Sequence, residues 1–454
     1  CALPILCLNT VIMLRSLFVD FNSYFASVEQ QLNPALRGRP VGVVPVLAET
    51  SCCIAASYEA KALGIGTGTG VAEARRLCPD IAIVLADHAK YVEMHHRAVA
   101  VVDTLAPVRQ VLSIDEMECE LTGRWQQRER AVGLAERIKA EVVAQLGECM
   151  RTSVGIAPNT LLAKLASNMQ KPDGLTVIEA HELPQRLYGL KPKAINGIGP
   201  RMVQRLERCG IHTMAQLYAA PRELLRTAWG GVAGAEMYDK LRGQWYGPRE
   251  TVAKSLGHSH VLPPDLRNPA GAFAVLNRLT QKAAMRLRKQ NVYATSMSVH
   301  VRCRQGHGRS GSKGMTMGDD RAAQIGETQD TAFLLHTLEI LWHSGLHLLA
   351  QPVTVGVQLH GLVEAGQHTG DLFGFDEAAA DAAEVAPDPA GSLSARTAQK
   401  IAPVRDRRKL LAAIDTLNGK HGKNTVYFAS AQAGLDHAPM RIAFNRIPDL
   451  ASER

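Results

Sequence analysis

Two apolar, β-rich runs end on acidic residues, and no other feature restricts the fold as strongly. Leu14 to Val19 stops at Asp20, and a later run stops at Ser113-Ile114-Asp115-Glu116. Such runs read as buried strands, so a sheet would carry carboxylates at its strand ends. Helical spacing follows at Ser23 to Gln31, 88 to 106 and 128 to 146. Val41 to Val46 reads as a strand, and Val108 to Leu121 as a hairpin or strand pair. Strand and helix alternate, which predicts a mixed α and β core. With 454 residues, 46% of them hydrophobic and 21% charged, the chain has room for about three domains.

Residues 179–245 read as mostly helical. Residues 250–362 read in the order strand, helix, strand, strand, helix, strand. Helices are expected near 267–290 and 331–346, and strands include Thr295 to Arg304 and Val353 to Leu362. This order predicts a four-stranded sheet backed by two helices. From Glu364 to Ala395 there are seven acids and no Lys or Arg, amid Ala, Pro and Gly. That composition predicts a disordered linker. Beyond it, Lys409 to Leu417 reads as helix and Thr425 to Ala429 as strand.

The net charge is +8. Residues 251–304 alone hold nine bases (Lys254, Arg267, Arg278, Lys282, Arg286, Arg288, Lys289, Arg302, Arg304) against Asp265. A polyanionic partner or a solvated helix face explains such a run. Nine cysteines without a CxxC pair argue against a disulfide framework or a zinc site, and reduced thiols in a cytoplasm fit best. No apolar run reaches the ~18 residues needed to span a bilayer, so no membrane partner is expected. Cys1 to Leu14 lacks a basic leader, and it is not read as a signal peptide.

Asp20 with Asp115 and Glu116 offers the oxygen ligands that hard divalent cations prefer. Two such ions about 4 Å apart promote phosphoryl transfer. The plainer reading is that acids at strand ends are turn residues. Further strings lie in order around them: Asp20-Phe21-Asn22-Ser23-Tyr24-Phe25-Ala26-Ser27-Val28-Glu29, Tyr58-Glu59-Ala60-Lys61, Val154-Gly155-Ile156-Ala157-Pro158-Asn159, Leu162-Ala163-Lys164-Leu165-Ala166-Ser167 and Lys171-Pro172-Asp173-Gly174. Together they resemble the Y family of translesion DNA polymerases, the DinB and UmuC group, over about residues 14–362.

The resemblance implies an α+β multidomain right hand: palm at 13–23 and 87–178, fingers at 24–86, helical thumb at 179–245, and a four-stranded little finger at 250–362. An acidic linker (363–396) and a UmuC-like, partly disordered C-terminal extension (397–454) would follow. It implies two Mg²⁺ held by Asp20, Asp115, Glu116 and the carbonyl of Phe21. Phe25 would be the steric gate against a ribose 2′-hydroxyl, and Tyr58, Lys61 and Lys171 would contact the triphosphate. Asn196-Gly197-Ile198-Gly199-Pro200 resembles the thumb's helix-hairpin-helix, which grips DNA backbone. Arg286, Arg288, Lys289, Arg302 and Arg304 fall where the little finger tracks phosphates. Thr369-Gly370-Asp371-Leu372-Phe373 resembles a sliding-clamp peptide, with Asp371, Leu372 and Phe373 as its contacts.

The partners implied are primed template DNA, deoxynucleoside triphosphates, a sliding clamp and a UmuD-like accessory subunit. Departures are Lys61, commonly Arg in relatives, Thr160 where many have Lys, and Met117 after the Asp-Glu pair. The rival readings are a non-catalytic homologue serving as a clamp-bound DNA scaffold, and a metal-dependent nuclease using the same carboxylates.

Overall fold

The computed structural model describes residues 12–247, 253–304, 316–349, 351–368, 407–422 and 425–437. The described residues divide into two compact units, 12–247 and 253–437.

The first unit is built on a five-stranded sheet in the order β5-β6-β1-β7-β8: β1 (Ser16–Phe21), β5 (Val108–Val111), β6 (Glu116–Glu120), β7 (Thr152–Ala157) and β8 (Leu175–Val177). The apolar run ahead of Asp20 becomes the central strand, fully buried along its length. It lies antiparallel to both β6 and β7, with Asp20 opposite Glu116 and Ser153, and Phe18 opposite Glu118 and Gly155. Side chains alternate across a sheet, so Ser16, Phe18 and Asp20 share one face with Glu116, Glu118 and Glu120.

Helix α6 (Thr160–Met169) packs on this face at Gly155. A Cβ there would lie 1.9 Å from the carbonyl oxygen of Ala163 and 2.4 Å from the Ser167 nitrogen. Only glycine lets helix and strand approach so closely. Asn159 starts α6 by accepting from the Leu162 N–H, the usual N-cap role. Phe18 joins a core with α6 and the helices α7 (Pro200–Arg208), α8 (Met214–Ala219), α9 (Arg222–Trp229) and α10 (Val232–Leu241). Helices α4 (His88–Leu105) and α5 (Arg128–Leu146) pack on each other and reach β5 and β7.

A three-stranded sheet of β2 (Val41–Val44), β3 (Ala55–Ala56) and β4 (Ala82–Leu85) stands apart from the first. Around it lie α1 (Tyr24–Leu32), α2 (Tyr58–Ala62) and α3 (Val71–Leu77). The glycine-rich run 64–70 is an ordered loop. Its Ile65 is fully buried, and Gly68 N–H bonds the Cys53 carbonyl.

The second unit has the predicted element order. The antiparallel sheet runs β11-β10-β12-β9: β9 (Ser255–Val261), β10 (Val292–Arg304), β11 (Thr316–Thr328) and β12 (Pro352–His360). Helices α11 (Pro269–Lys289) and α12 (Thr331–His343) close a core with Met297, Val299, Val301, Val355 and Val357. Three expectations change here. The linker's first residues are part of the fold, because β13 (Val363–Glu364) pairs with Val292 and Tyr293, and His368 stacks on Tyr293. Thr425 to Ala429 is not a strand; it leads into a 3₁₀ helix, Ala429–His437, and the backbone groups of Val426 and Phe428 are taken up by the side chains of Asn418 and Gln281. The tail helix α13 (Arg407–His421) is longer than its predicted core.

The tail docks on α11. Gln281 exchanges two hydrogen bonds with the Phe428 backbone. Arg288 holds Asp415 through both carboxylate oxygens, at 2.6 and 2.9 Å. No helix among the described residues is long and apolar enough to cross a membrane.

Candidate active site

Asp20 and Glu116 face each other across β1 and β6, and the Phe21 N–H donates to the Asp115 carbonyl at 2.9 Å. The strand pairing thus sets the three carboxylates of the sequence motifs side by side. Burial pushes Asp20 up to about 6, with the charges of Glu116 and Asp115 adding to that rise and Lys171 opposing it. Lys171 Nζ lies 2.7 Å from Asp20 Oδ1, and Lys164 Nζ lies 2.5 Å from Glu116 Oε2. Ser113 Oγ donates to Asp115 Oδ1 at 2.6 Å. Each carboxylate is therefore held by a neighbour that a divalent cation would replace. Among the described residues no three His, Cys, Asp or Glu side chains are already gathered as a metal cage. The donor set nonetheless fits a hard cation: it is all oxygen, and the crowded negative charge that lifts Asp20 is what such an ion relieves.

The turn bearing these acids is fixed from behind. His95 of α4, 2% exposed, places Nδ1 2.8 Å from the Ile114 carbonyl oxygen. Burial lowers its pKa to about 4, so near pH 7 the ring is neutral and its Nδ1–H donates. Sequence reading missed this contact, because a histidine on a helix announces no partner.

Tyr58 and Lys61 of α2 approach the same place. Lys61 Nζ is 2.6 Å from Ser23 Oγ and 4.4 Å from the centre of the Tyr58 ring. Burial and the charge of Lys171 both lower the Lys61 pKa, whereas Asp20 raises it. Phe25 stacks on Tyr91 with centroids 4.5 Å apart and planes 21° from parallel. Tyr91 is itself locked by its hydroxyl on Glu29, and its carbonyl accepts from Tyr24. The half-buried aromatic at 25 is thus braced by the buried Tyr91.

Glu118, 1% exposed, is a second feature the sequence did not disclose. It accepts from Ser16 Oγ at 2.5 Å, Thr160 Oγ1 at 2.7 Å and Arg109 Nη2 at 2.5 Å. The departure at Thr160 thereby has a structural role: its short hydroxyl completes the partners of a buried carboxylate, as burial of that charge demands.

Gly197, with φ of +92°, and Gly199 are exposed on either side of the buried Ile198, and Gly199 caps α7. The basic segment of the second unit is split. Arg302 lies exposed on β10 at a position alternating with the core residues Val301 and Cys303, on the open side of the sheet. Arg286, Arg288 and Lys289 belong to α11, on the covered side. Arg288 in particular is turned into the fold by Asp415, Gln329 and Thr331. The side chain of Arg304 and the clamp-like Asp371, Leu372 and Phe373 lie outside the described residues.

Residues 19–168 match the impB/mucB/samB family, and residues 253–372 match that family's C-terminal domain. The chain is 35% identical to the DNA polymerase IV of Moorella thermoacetica, across 79% of this chain and 88% of that one. The chain belongs to the Y family of DNA polymerases. A second Y-family relative, the DNA polymerase IV of Pelotomaculum thermopropionicum, is 31% identical over 80% of this chain and 89% of its own. A solved Y-family DNA polymerase chimera, Dbh-Dpo4(243-245)-Dbh, superposes with a TM-score of 0.62 at 25% identity. That match covers 77% of this chain and 99% of the chimera.

Proposed function

We propose that this Y-family DNA polymerase carries out translesion synthesis by two-metal nucleotidyl transfer at Asp20, Asp115 and Glu116. The observation that carries the reading is the register placing Asp20 opposite Glu116, with Asp115 tied to Phe21 on the adjoining turn. In this reading the three carboxylates and the Phe21 carbonyl hold two Mg²⁺. Those ions, when bound, supply activation of the primer 3′-hydroxyl and neutralise charge on the transferred phosphoryl group.

The chain's own residues do the rest. Lys171 releases Asp20 and, with Lys61 and Tyr58, receives the triphosphate, where fixed positive charge counts most in a partly buried site. Lys61, an ammonium, offers a point charge and not the two-pronged grip of a guanidinium. Phe25, braced on Tyr91, stands where a ribose 2′-hydroxyl would collide. Gly197 and Gly199 present backbone N–H groups to a DNA phosphate at the start of α7, and Arg302 adds charge from the open sheet face. The palm, fingers, thumb and little finger take the spans given above, and the acidic segment with Asp371, Leu372 and Phe373 is the proposed clamp contact. A UmuD-like accessory subunit and a cytoplasmic setting complete the proposal.

Primer extension on templates with and without a single abasic site tests the bypass role. The expected result is full-length product on both; a complete stop at the lesion, with normal synthesis on intact template, would remove it. In the same assay, Phe25→Ala should raise ribonucleotide insertion at least about tenfold, the scale of a lost steric contact. An unchanged sugar preference would refute the gate.

A further inference from the structure

The loop that carries Lys171, residues 171–174 between α6 and β8, needs support from outside itself. Asp173 has φ of +56°, a left-handed conformation that costs free energy for a residue with a Cβ. A Cβ on Gly174 would lie 1.8 Å from the Gln170 carbonyl oxygen, so the chain turns tightly there. Side chains from the sheet and from α5 supply the support. Asn22, 2% exposed, accepts from the Asp173 N–H at 2.7 Å and donates to Ser153 Oγ at 2.9 Å; Ser153 Oγ accepts in turn from the Gly174 N–H at 3.3 Å. Lys139 of α5 makes the shortest contacts. Its Nζ donates to the Thr152 carbonyl at 2.7 Å, to the Asp173 carbonyl at 2.6 Å and to Asp173 Oδ1 at 2.6 Å.

An ammonium has three donors, and these acceptors use all of them. Lys139 therefore spends its charge on β7 and the loop. Its side chain is 18% exposed, and burying an ammonium costs free energy unless it is paired and hydrogen-bonded. The apolar face of α5, with Leu134, Ile138 and Val142 buried, has no need of that charge. Lys171 precedes Asp173 by two positions and places Nζ 2.7 Å from Asp20 Oδ1, so a shift of Asp173 is passed on to the Lys171 ammonium. We propose that Lys139 is a positioning residue for nucleotide binding: by tying Asp173 to β7, it sets the Lys171 ammonium where a triphosphate meets it. That role of Lys139 holds only with Lys171 at the triphosphate, as proposed above. A loop released from Lys139 spends part of its time elsewhere, and apparent nucleotide affinity falls with the fraction of molecules still in place. Saturating nucleotide restores the position, so the loss belongs to KM and not to kcat.

The test is steady-state insertion of a single deoxynucleotide on primed DNA by the full chain with Mg²⁺, with DNA affinity measured beside it. Lys139→Met should raise KM for the nucleotide about tenfold, the scale of one charge-assisted hydrogen bond, with kcat and DNA affinity within about twofold of the parent. Asp173→Asn keeps the backbone contacts and removes only a partly exposed carboxylate charge, so KM should rise about threefold. In a Lys171→Met background, itself lowered about a hundredfold in kcat/KM, Lys139→Met should cost less than about twofold more. An unchanged KM in Lys139→Met or in Asp173→Asn, a loss in kcat or DNA affinity in place of the KM effect, or a further loss of about tenfold in the Lys171→Met background would overturn the proposal and leave Lys171 in its role. Lys171→Met at the parent kcat/KM would overturn both.

Discussion

His95 offers a quantitative handle on how the catalytic turn is held. Its ring is buried and neutral, with a folded pKa of about 4 against an ordinary 6.5. His96 lies beside it and adds to the lowering. A base whose folded pKa is depressed binds fewer protons in the native state than in the unfolded one, so its contribution to stability is complete above pH 6.5 and drains away as the pH falls towards 4. From those two values the loss is about 2 kcal/mol by pH 5 and about 3 kcal/mol by pH 4. His95→Gln keeps a donor but cannot titrate. The two units of the chain need not unfold together, so the assay should be local: urea-dependent hydrogen exchange at Leu17, Phe18 and Val19 of β1. The parent's stability relative to His95→Gln should shrink by about 2 kcal/mol between pH 7.5 and pH 5. A constant difference over that range would show that His95 is not the buried neutral donor described here.

Two further substitutions follow from the same geometry. Lys171→Met removes the ammonium 2.7 Å from Asp20, so kcat/KM for nucleotide insertion should fall about a hundredfold in steady-state extension; an unchanged value would free Lys171 of any part in the site. Gly155→Ala forces a Cβ to within 1.9 Å of the Ala163 carbonyl oxygen, and urea denaturation should register a loss of about 3 kcal/mol; a neutral effect would contradict the packing of α6 on β7.

The parts of the fold written in local pattern were the legible ones. Strand β1 and helices α4, α5, α11 and α12 lie close to their apolar periodicities, since hydrophobic spacing is set within one element. The order of the second unit's six elements was readable for the same reason. What escaped was set by long-range placement. Glu118 gave no sign that it would be buried among Ser16, Arg109 and Thr160, residues from three other elements. The nine bases of 251–304 looked like one patch because charge was counted along the chain, whereas the sheet places Arg302 and α11 on opposite sides. Arg288 could not be told from its neighbours, for its partner Asp415 is 127 positions away. Thr425 to Ala429 shows the limit of propensity alone: a β-branched, aromatic stretch forms a strand only where a sheet edge receives it. At the site, Asp20, Asp115 and Glu116 were legible as strand-end acids, and Lys171 as a triphosphate contact, but the pairing of Lys171 with Asp20 and of Lys164 with Glu116 was not.

The most direct measurement is primer extension with Mg²⁺ and four deoxynucleotides, run beside an equilibrium DNA-binding assay, for the parent and for Asp115→Ala. The account predicts template-directed extension by the parent, its loss by at least about a thousandfold in the variant, and DNA affinity within about twofold in both. Extension by Asp115→Ala at the parent rate would contradict it.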